Sequence, residues 1–430
     1  MIAIQYSLVE QKGTSMSSLR DSLTLPCGLV LPGRIVKASM SEALGGASNA
    51  PNERLERLYR TWADGGYGLL VTGNVMVDRS QLGEVGNVVI EDERDLPALS
   101  SWAKATKDAG VPIFVQLNHP GRQANPLSIG HTPVAPSAIA LNVPGAATPR
   151  ALTSDEVEDI VERFAAAAQV CETAGFDGVQ IQAAHGYLVT QFLSPLTNTR
   201  TDEWGGDPVR RRRFLLDIVR TIRSRVSPGF AVSVKLNSAD FQRGGFTEAE
   251  SRDVVEALST EGIDLLEISG GNYESPAMSG TAAASTRARE AYFLEYARTV
   301  RGVAGDVPLA VTGGFRTETG MSEAIESGDC DAVGIARPTV LDAGAARSVL
   351  AGRTRTLTTR TITLPLRAAV AKITDPAAIE SVLTIGWHTD QLHRMGAGLA
   401  PDPARGRLRT TVAMIRRNGR ITLNPRRGTR

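Results

Sequence analysis

Eight short apolar runs punctuate the chain at Ile35–Ala38, Leu69–Thr72, Ile113–Leu117, Gly178–Ile181, Ala231–Leu236, Leu265–Ser269, Leu309–Thr312 and Ala332–Ile335. Each is rich in β-branched residues and apolar on both sides of the pleat. Between them lie stretches with helical periodicity, long enough for a crossover. This pattern predicts parallel strands covered on both faces. Eight such units predict an α/β architecture, a closed (β/α)8 TIM barrel.

The helix after the third strand shows the logic. Thr153 and Glu156 form a capping-box pattern, and Val157, Ile160, Val161, Phe164, Ala168 and Cys171 then recur on one stripe. Cys171 on that stripe reads as a small core residue. Between Gly121 and Arg150, ahead of this helix, runs a connection rich in Pro, Gly, Ala and Ser, expected to cap the barrel. After about residue 340 the alternation stops. Asp375-Pro376 predicts a further helix ending near Gly396, whose Trp387 and Leu392 are expected to pack on the barrel or on another subunit of a homo-oligomer. From Ala404 the chain turns basic and reads as a flexible, solvated end. The expected organisation is a lead-in over 1–24, a barrel over 25–345, a C-terminal helical extension over 346–403 and a basic tail over 404–430.

Composition narrows the class without changing the fold. A chain of 430 residues, 42% hydrophobic and 22% charged, can bury a large core. Its 47 Lys and Arg nearly cancel 46 Asp and Glu, so no global field favours nucleic acid or an anionic membrane, and a small molecule is the expected partner. Cys27, Cys171 and Cys330 are too few and too scattered for a disulfide scaffold or an iron–sulfur site. A reducing cytoplasm suits them. No leader pattern or apolar run of membrane-spanning length is present, and His388 and His393 are five apart, a poor spacing for a metal pair. No metal is expected.

In a parallel barrel the functional groups sit at the C-terminal ends of the strands. Those ends carry Ala38-Ser39-Met40-Ser41, Gly73-Asn74, Gln116 with His119-Pro-Gly-Arg122, Gln182-Ala-Ala-His185-Gly-Tyr187, Lys235, Thr312-Gly313-Gly314-Phe315 and Gly334-Ile-Ala336-Arg337. Glycines after strand seven and an arginine after strand eight suit a phosphate, because backbone N–H groups can approach the anion and Arg337 supplies charge. An isoalloxazine needs an amide partner at its pyrimidine edge and a cation near N1 to stabilise the reduced, anionic ring. Gln116 and Lys235 fit those roles. Lys235 has the alternative of pairing with a structural carboxylate, Asp240 being the nearest in sequence. His119, beside Pro and Gly, reads equally as a residue that fixes its loop.

The run Gly178-Val-Gln-Ile-Gln-Ala-Ala-His-Gly-Tyr-Leu188, then Gln191-Phe-Leu-Ser-Pro-Leu-Thr-Asn198 and Arg200-Thr-Asp-Glu-Trp-Gly-Gly206, resembles the Old Yellow Enzyme signature. Arg34-Ile-Val, Gln116, His119-Pro-Gly-Arg122, Thr312-Gly-Gly-Phe315 and Ala336-Arg337 follow in family order, so the resemblance spans about residues 25 to 340. It implies an NAD(P)H-dependent flavin oxidoreductase of ene-reductase type, with bound FMN and NADH or NADPH as reductant. It implies that Ser39, Met40, Ser41 and Asn74 line the flavin and that Gln116 and Lys235 bind its pyrimidine edge. Gly313, Gly314, Ala336 and Arg337 would hold the phosphate. Gln182 and His185 would grip the carbonyl oxygen of an electron-poor acceptor, and Tyr187 would give a proton to its α-carbon. The chain departs from the family at Gln182, where His is usual, at Ser41, where Thr or Cys is usual, and at Ala38-Ser39, which replaces Ser-Pro. Gln182 can donate a hydrogen bond but cannot become cationic, and its oxygen can turn to the ligand instead. The departure leaves a flavin-binding protein of low turnover as the alternative. Barrels that add an iron–sulfur cluster and a nucleotide domain are disfavoured by the three scattered cysteines and the lack of a second Gly-rich fingerprint.

Overall fold

The computed structural model describes residues 18–142, 146–271, 291–365, 367–371 and 376–422. All eight expected runs are strands: β1 Ile35–Lys37, β2 Leu69–Met76, β3 Ile113–Asn118, β4 Gly178–Ala183, β5 Ala231–Asn237, β6 Leu265–Ser269, β7 Leu309–Thr312 and β8 Ala332–Ile335. They pair in chain order, every pair parallel, and β8 returns to β1, so the sheet closes into the expected barrel. The main helices between them are α1 Glu53–Ala63, α2 Leu96–Lys107, α3 Ser154–Ala174, α4 Pro208–Arg225, α5 Glu248–Leu258, α6 Leu294–Val300 and α7 Glu318–Glu326.

At the N-terminal end of the barrel an antiparallel pair, Leu23–Thr24 with Val30–Leu31, packs on the first residues of the strands, including Leu69, Phe114, Leu265 and Ala332. That end is therefore a closed apolar plug, and the open face is the other one. Around the outside, Tyr59 meets Trp62 and Trp102 edge-on, each at 5.2 Å, and Trp102 meets Phe176 at 5.5 Å, tying α1 and α2 to the segment leading into β4. The capping box at Thr153 and Glu156 forms as predicted, α3 ends on Gly175 at φ +91°, and the stripe from Val157 to Cys171 is buried. Burial pushes the Cys171 thiol up, as befits an inert core residue.

Gly68, just ahead of β2, lies against the backbone of Gly33, just ahead of β1. A Cβ added there would lie 1.8 Å from the Gly33 carbonyl oxygen, which is backbone and has nowhere to go. Gly68→Ala is expected to cost about 3 kcal/mol or more. A melting temperature unchanged from wild type would contradict this.

Beyond β8 come α8, Pro376–Gly396, and α9, Arg407–Thr422. Arg54 and Arg57 of α1 donate to the carbonyls of His393 (2.9 Å) and Gly396 (2.8 Å), satisfying the C-terminal end of α8. Trp387 and Leu392 are buried within this chain. The segment expected to be a flexible basic end is thus helical through Thr422. Its reason is local: Gly386 leaves room for Met414, whose Sδ would lie 2.1 Å from any Cβ at that position. Its arginines are also less solvated than their number suggests, since Arg405 pairs with Asp390 and Arg407 donates to the Thr363 carbonyl at 2.7 Å. Residues 423–430 lie outside the described part of the chain. No helix among the described residues is long and apolar enough to cross a membrane.

Candidate active site

Parallel register decides which polar residues share the barrel interior. Gln116 of β3 lies beside Gln180 of β4, and Gln182 of β4 beside Lys235 of β5, which in turn lies beside Glu267 of β6. A register shift in β2 between Val71 and Asn74 brings Asn74 opposite Gln116. Above this layer opens a cavity of about 340 Å³ at the C-terminal ends of the strands. Ser39, Met40, Ser41, Asn74, Gln116, Gln182, His185, Tyr187, Lys235, Gly313, Gly314, Ala336 and Arg337 all line it. The structure therefore brings together every site residue singled out from sequence.

At one end, Gly314 takes φ +86°, a left-handed conformation that favours glycine, while a Cβ on Gly313 would lie 2.6 Å from Phe293. Arg337 stands beside them. Its pKa is lowered by burial and then by the like charge of Arg316, and no carboxylate pairs with it among the described residues. Arg316 also lines the cavity and was not anticipated.

At the other end the turn after β4 carries the reactive side chains. His185 sits at φ +62°, unusual for a non-glycine residue. Its N–H donates to Asn237 Oδ1 (3.2 Å) and its carbonyl accepts from Gln123 Nε2 (2.9 Å), which holds the turn. The ring places Nε2 3.0 Å from Ser269 Oγ, and burial, with a smaller contribution from the Lys235 charge, pushes its pKa down to about 3. The imidazole is neutral at physiological pH. Tyr187 is buried, and its hydroxyl oxygen accepts Asn74 Nδ2–H at 2.9 Å, so Asn74 positions the phenol as well as lining the cavity.

Gln182 turns its amide nitrogen toward Gln116 Oε1 (3.3 Å) and His185 Nδ1 (3.5 Å), leaving its own Oε1 buried without a protein partner. Asn74 Oδ1 is a second such orphan. Lys235 pairs with Glu267 at 2.8 Å, not with Asp240. Asp240 instead accepts the Ser194 hydroxyl and the Phe246 N–H (3.0 Å), a structural role that ties its loop to the end of the helix Leu188–Leu193. His119 fixes its loop by accepting the Gly121 N–H at Nδ1 (3.1 Å).

Several contributors had weak signals in the sequence. Glu267 is an acidic residue inside an otherwise apolar strand, which was a usable cue. Lys37 is fully buried under the site, donates to the Val71 carbonyl (3.0 Å), lies 4.1 Å over the Trp62 ring, and is pushed by burial down to about 8. Glu84 accepts the Ser41 hydroxyl at the cavity wall, and burial raises its pKa. Thr384, Ile385, His388, Thr389 and Leu392 of α8 form one side of the cavity. His388 binds Thr384 O through Nδ1 (2.8 Å) and His393 binds the carbonyls of Glu42 and Ala43, so neither addresses a metal; no metal-binding cluster occurs among the described residues.

Comparison with known proteins meets this geometry directly. The profile of the NADH:flavin oxidoreductase / NADH oxidase family matches residues 28–355, the full barrel. The chain belongs to that family. An NADH-dependent flavin oxidoreductase iliE of Hypocrea jecorina is 40% identical over 354 residues, 76% of this chain and 88% of that protein. An NADH oxidase of Thermoanaerobacter brockii is 33% identical over 316 residues, 73% of this chain but 48% of the relative. Among solved structures, an Old Yellow Enzyme homologue from Zymomonas mobilis matches with a TM-score of 0.68 at 25% identity, covering 80% of this chain and 95% of that one. Membership makes the protein an oxidoreductase of the Old Yellow Enzyme type, and its barrel is the family's barrel.

Proposed function

We propose that the protein binds FMN in this cavity, takes reducing equivalents from NADH or NADPH, and reduces an α,β-unsaturated carbonyl or similar electron-poor acceptor, with Tyr187 as proton donor. The observation that carries this reading is that one cavity gathers an arginine with no carboxylate partner among the described residues and two glycines at one end, a lysine and an amide at its floor, and a histidine and a tyrosine at the other end. The donor set suits FMN. Arg337 with the backbone at Gly313, Gly314 and Ala336 would hold the phosphate. Gln116 and Lys235 would meet the pyrimidine edge, and Ser39, Met40 and Ser41 would lie along the ring.

When bound, the flavin supplies the hydride. The chain's own residues do the rest. Lys235 places a cation where negative charge develops on reduction. His185, neutral, offers a hydrogen bond to the acceptor's oxygen without carrying charge into the pocket. Tyr187, with a phenol that stays protonated at neutral pH, holds the proton that completes the reduction. The walls made by half-buried Met40 and buried Phe293 and Leu392 limit water around these groups.

A second reading rests on Gln182. Its amide hydrogens face Gln116 and His185, so the free atom is an acceptor, whereas an oxyanion needs donors. A yellow protein with slow turnover would follow. Rapid mixing separates the two: on the first reading the FMN-loaded protein bleaches with NADH or NADPH and recovers its colour faster with cyclohexenone than with buffer. Bleaching without faster recovery favours the second reading, and no bleaching with either nucleotide sinks the first.

A further inference from the structure

Beneath the cavity, outside the set of residues that would touch FMN, a buried acidic group stands at the head of a directed chain of hydrogen bonds. Glu267 forms an ion pair with Lys235 Nζ through Oε1 (2.8 Å) and accepts the Gln180 Nε2–H at Oε2 (2.8 Å). Gln180 Oε1 then accepts Gln116 Nε2 (2.8 Å), and Gln116 Oε1 accepts Ser39 Oγ (2.7 Å) and Gln182 Nε2 (3.3 Å). Glu267, Lys235, Gln180, Gln116 and Gln182 are each no more than 2% exposed.

An ionised carboxylate only accepts, and a side-chain amide has one accepting end and one donating end. That difference propagates. Because Glu267 accepts, Gln180 must turn its nitrogen toward it and its oxygen toward Gln116. Gln116 must then turn its nitrogen toward Gln180 and its oxygen toward the cavity. Gln182 turns its nitrogen toward that oxygen and toward His185 Nδ1. One charge on β6 thus orients the amides of β3 and β4.

The geometry points to Glu267 as the positioning residue that makes Gln116 an acceptor toward the flavin pyrimidine edge and partly neutralises the Lys235 cation, thereby holding the potential of bound FMN down. This rests on the FMN reading above. Chemical fit supports it: the flavin edge presents an N–H between two carbonyl oxygens, and Gln116 Oε1, once the longer contact from Gln182 (3.3 Å) gives way, offers one acceptor beside one cation in that order. Electrostatics supports it as well. Although burial raises the pKa of Glu267, attraction to the Lys235 ammonium and the hydrogen bonds it accepts outweigh burial and leave it below the usual carboxylate value, so it is ionised.

The test compares wild type with Glu267→Gln by titrating the apoprotein with FMN and measuring the potential of the bound flavin. Glutamine keeps the shape, removes the charge, and can donate to Gln180, which reverses the chain and turns the Gln116 nitrogen to the cavity. Oxidised FMN is expected to bind about tenfold more weakly. Reduced FMN, favoured by the uncompensated Lys235 charge, loses little, so the two-electron potential rises by about 30 mV for that tenfold difference. Glu267→Asp, which restores the charge, should return the potential most of the way. A potential in Glu267→Gln that is unchanged or lower overturns the assignment. Should that variant fail to fold, Gln180→Leu cuts the chain while sparing the ion pair: FMN affinity is expected to fall about tenfold, and an unchanged affinity overturns the orienting role. Wild-type apoprotein that takes up no FMN refutes the FMN reading itself, a result distinct from either.

Discussion

Replacing Tyr187 with Phe is expected to slow reoxidation of the reduced protein by an enone by about 100-fold or more, while reduction by NADH or NADPH changes by no more than about twofold. Positioned general acids contribute roughly 10²–10⁴ in rate, and phenylalanine removes the acid while keeping the ring. The ring is buried at the start of the helix Leu188–Leu193, so the backbone there should hold its place. Loss of the hydroxyl also leaves Asn74 Nδ2 without its acceptor, a cost of about 1–3 kcal/mol in stability that both half-reactions would share. Stopped-flow absorbance resolves the two half-reactions in one instrument. Equal slowing of both would remove Tyr187 from proton donation and leave it a wall residue.

The second large effect is acid lability. His119, His388 and His393 are pushed down to about 4 and His185 to about 3, in each case chiefly by burial. In the unfolded chain these imidazoles take a proton near pH 6.5. The folded protein therefore binds fewer protons than the unfolded one between about pH 6.5 and 4, and stability falls as the pH drops through that window. At about 1.4 kcal/mol per pH unit, a shift of this kind removes roughly 2 kcal/mol of stability by about pH 5, so together they remove several kcal/mol. That is comparable with the whole stability of an ordinary domain, about 5–15 kcal/mol. The melting temperature is expected to be flat between about pH 7 and 8 and to fall steeply below about pH 6. A melting temperature that held steady down to about pH 5 would mean that the protonated rings find partners in the folded state.

The eight strands were legible because each is a short β-branched run between helical stretches, and their covered faces leave little ambiguity of class. The site residues that follow the strands were legible for a related reason: strand ends in a closed barrel converge, so residues far apart in the chain, such as Ser39 and Arg337, had to meet. What was not legible depended on register. Lys235 and Asp240 are five apart in sequence, yet the lysine's partner is Glu267, placed beside it by the pairing of β5 with β6. Proximity in sequence was the wrong measure across a sheet. Lys37 was missed because a lysine in a short strand reads as exposed, and only the Trp62 face and the Val71 carbonyl make its burial tolerable. The helix near the end of the chain was not legible because its charge drew attention from packing. The helix Arg407–Thr422 is fixed through a glycine on its neighbour, a residue that carries no apolar signal at all.

The helix Pro376–Gly396 supplies Thr384, Ile385, His388, Thr389 and Leu392 to one wall of the cavity, although it follows the last strand and takes no part in closing the barrel. Division of labour follows from that arrangement. The strands carry constraints of folding and chemistry together, so their side chains have little freedom to vary. A helix laid on afterwards answers mainly to the shape of whatever enters the pocket. If the proposed reaction holds, substitutions at the cavity-facing positions of this single appended helix would redirect the range of acceptors while leaving the residues at the strand ends in place.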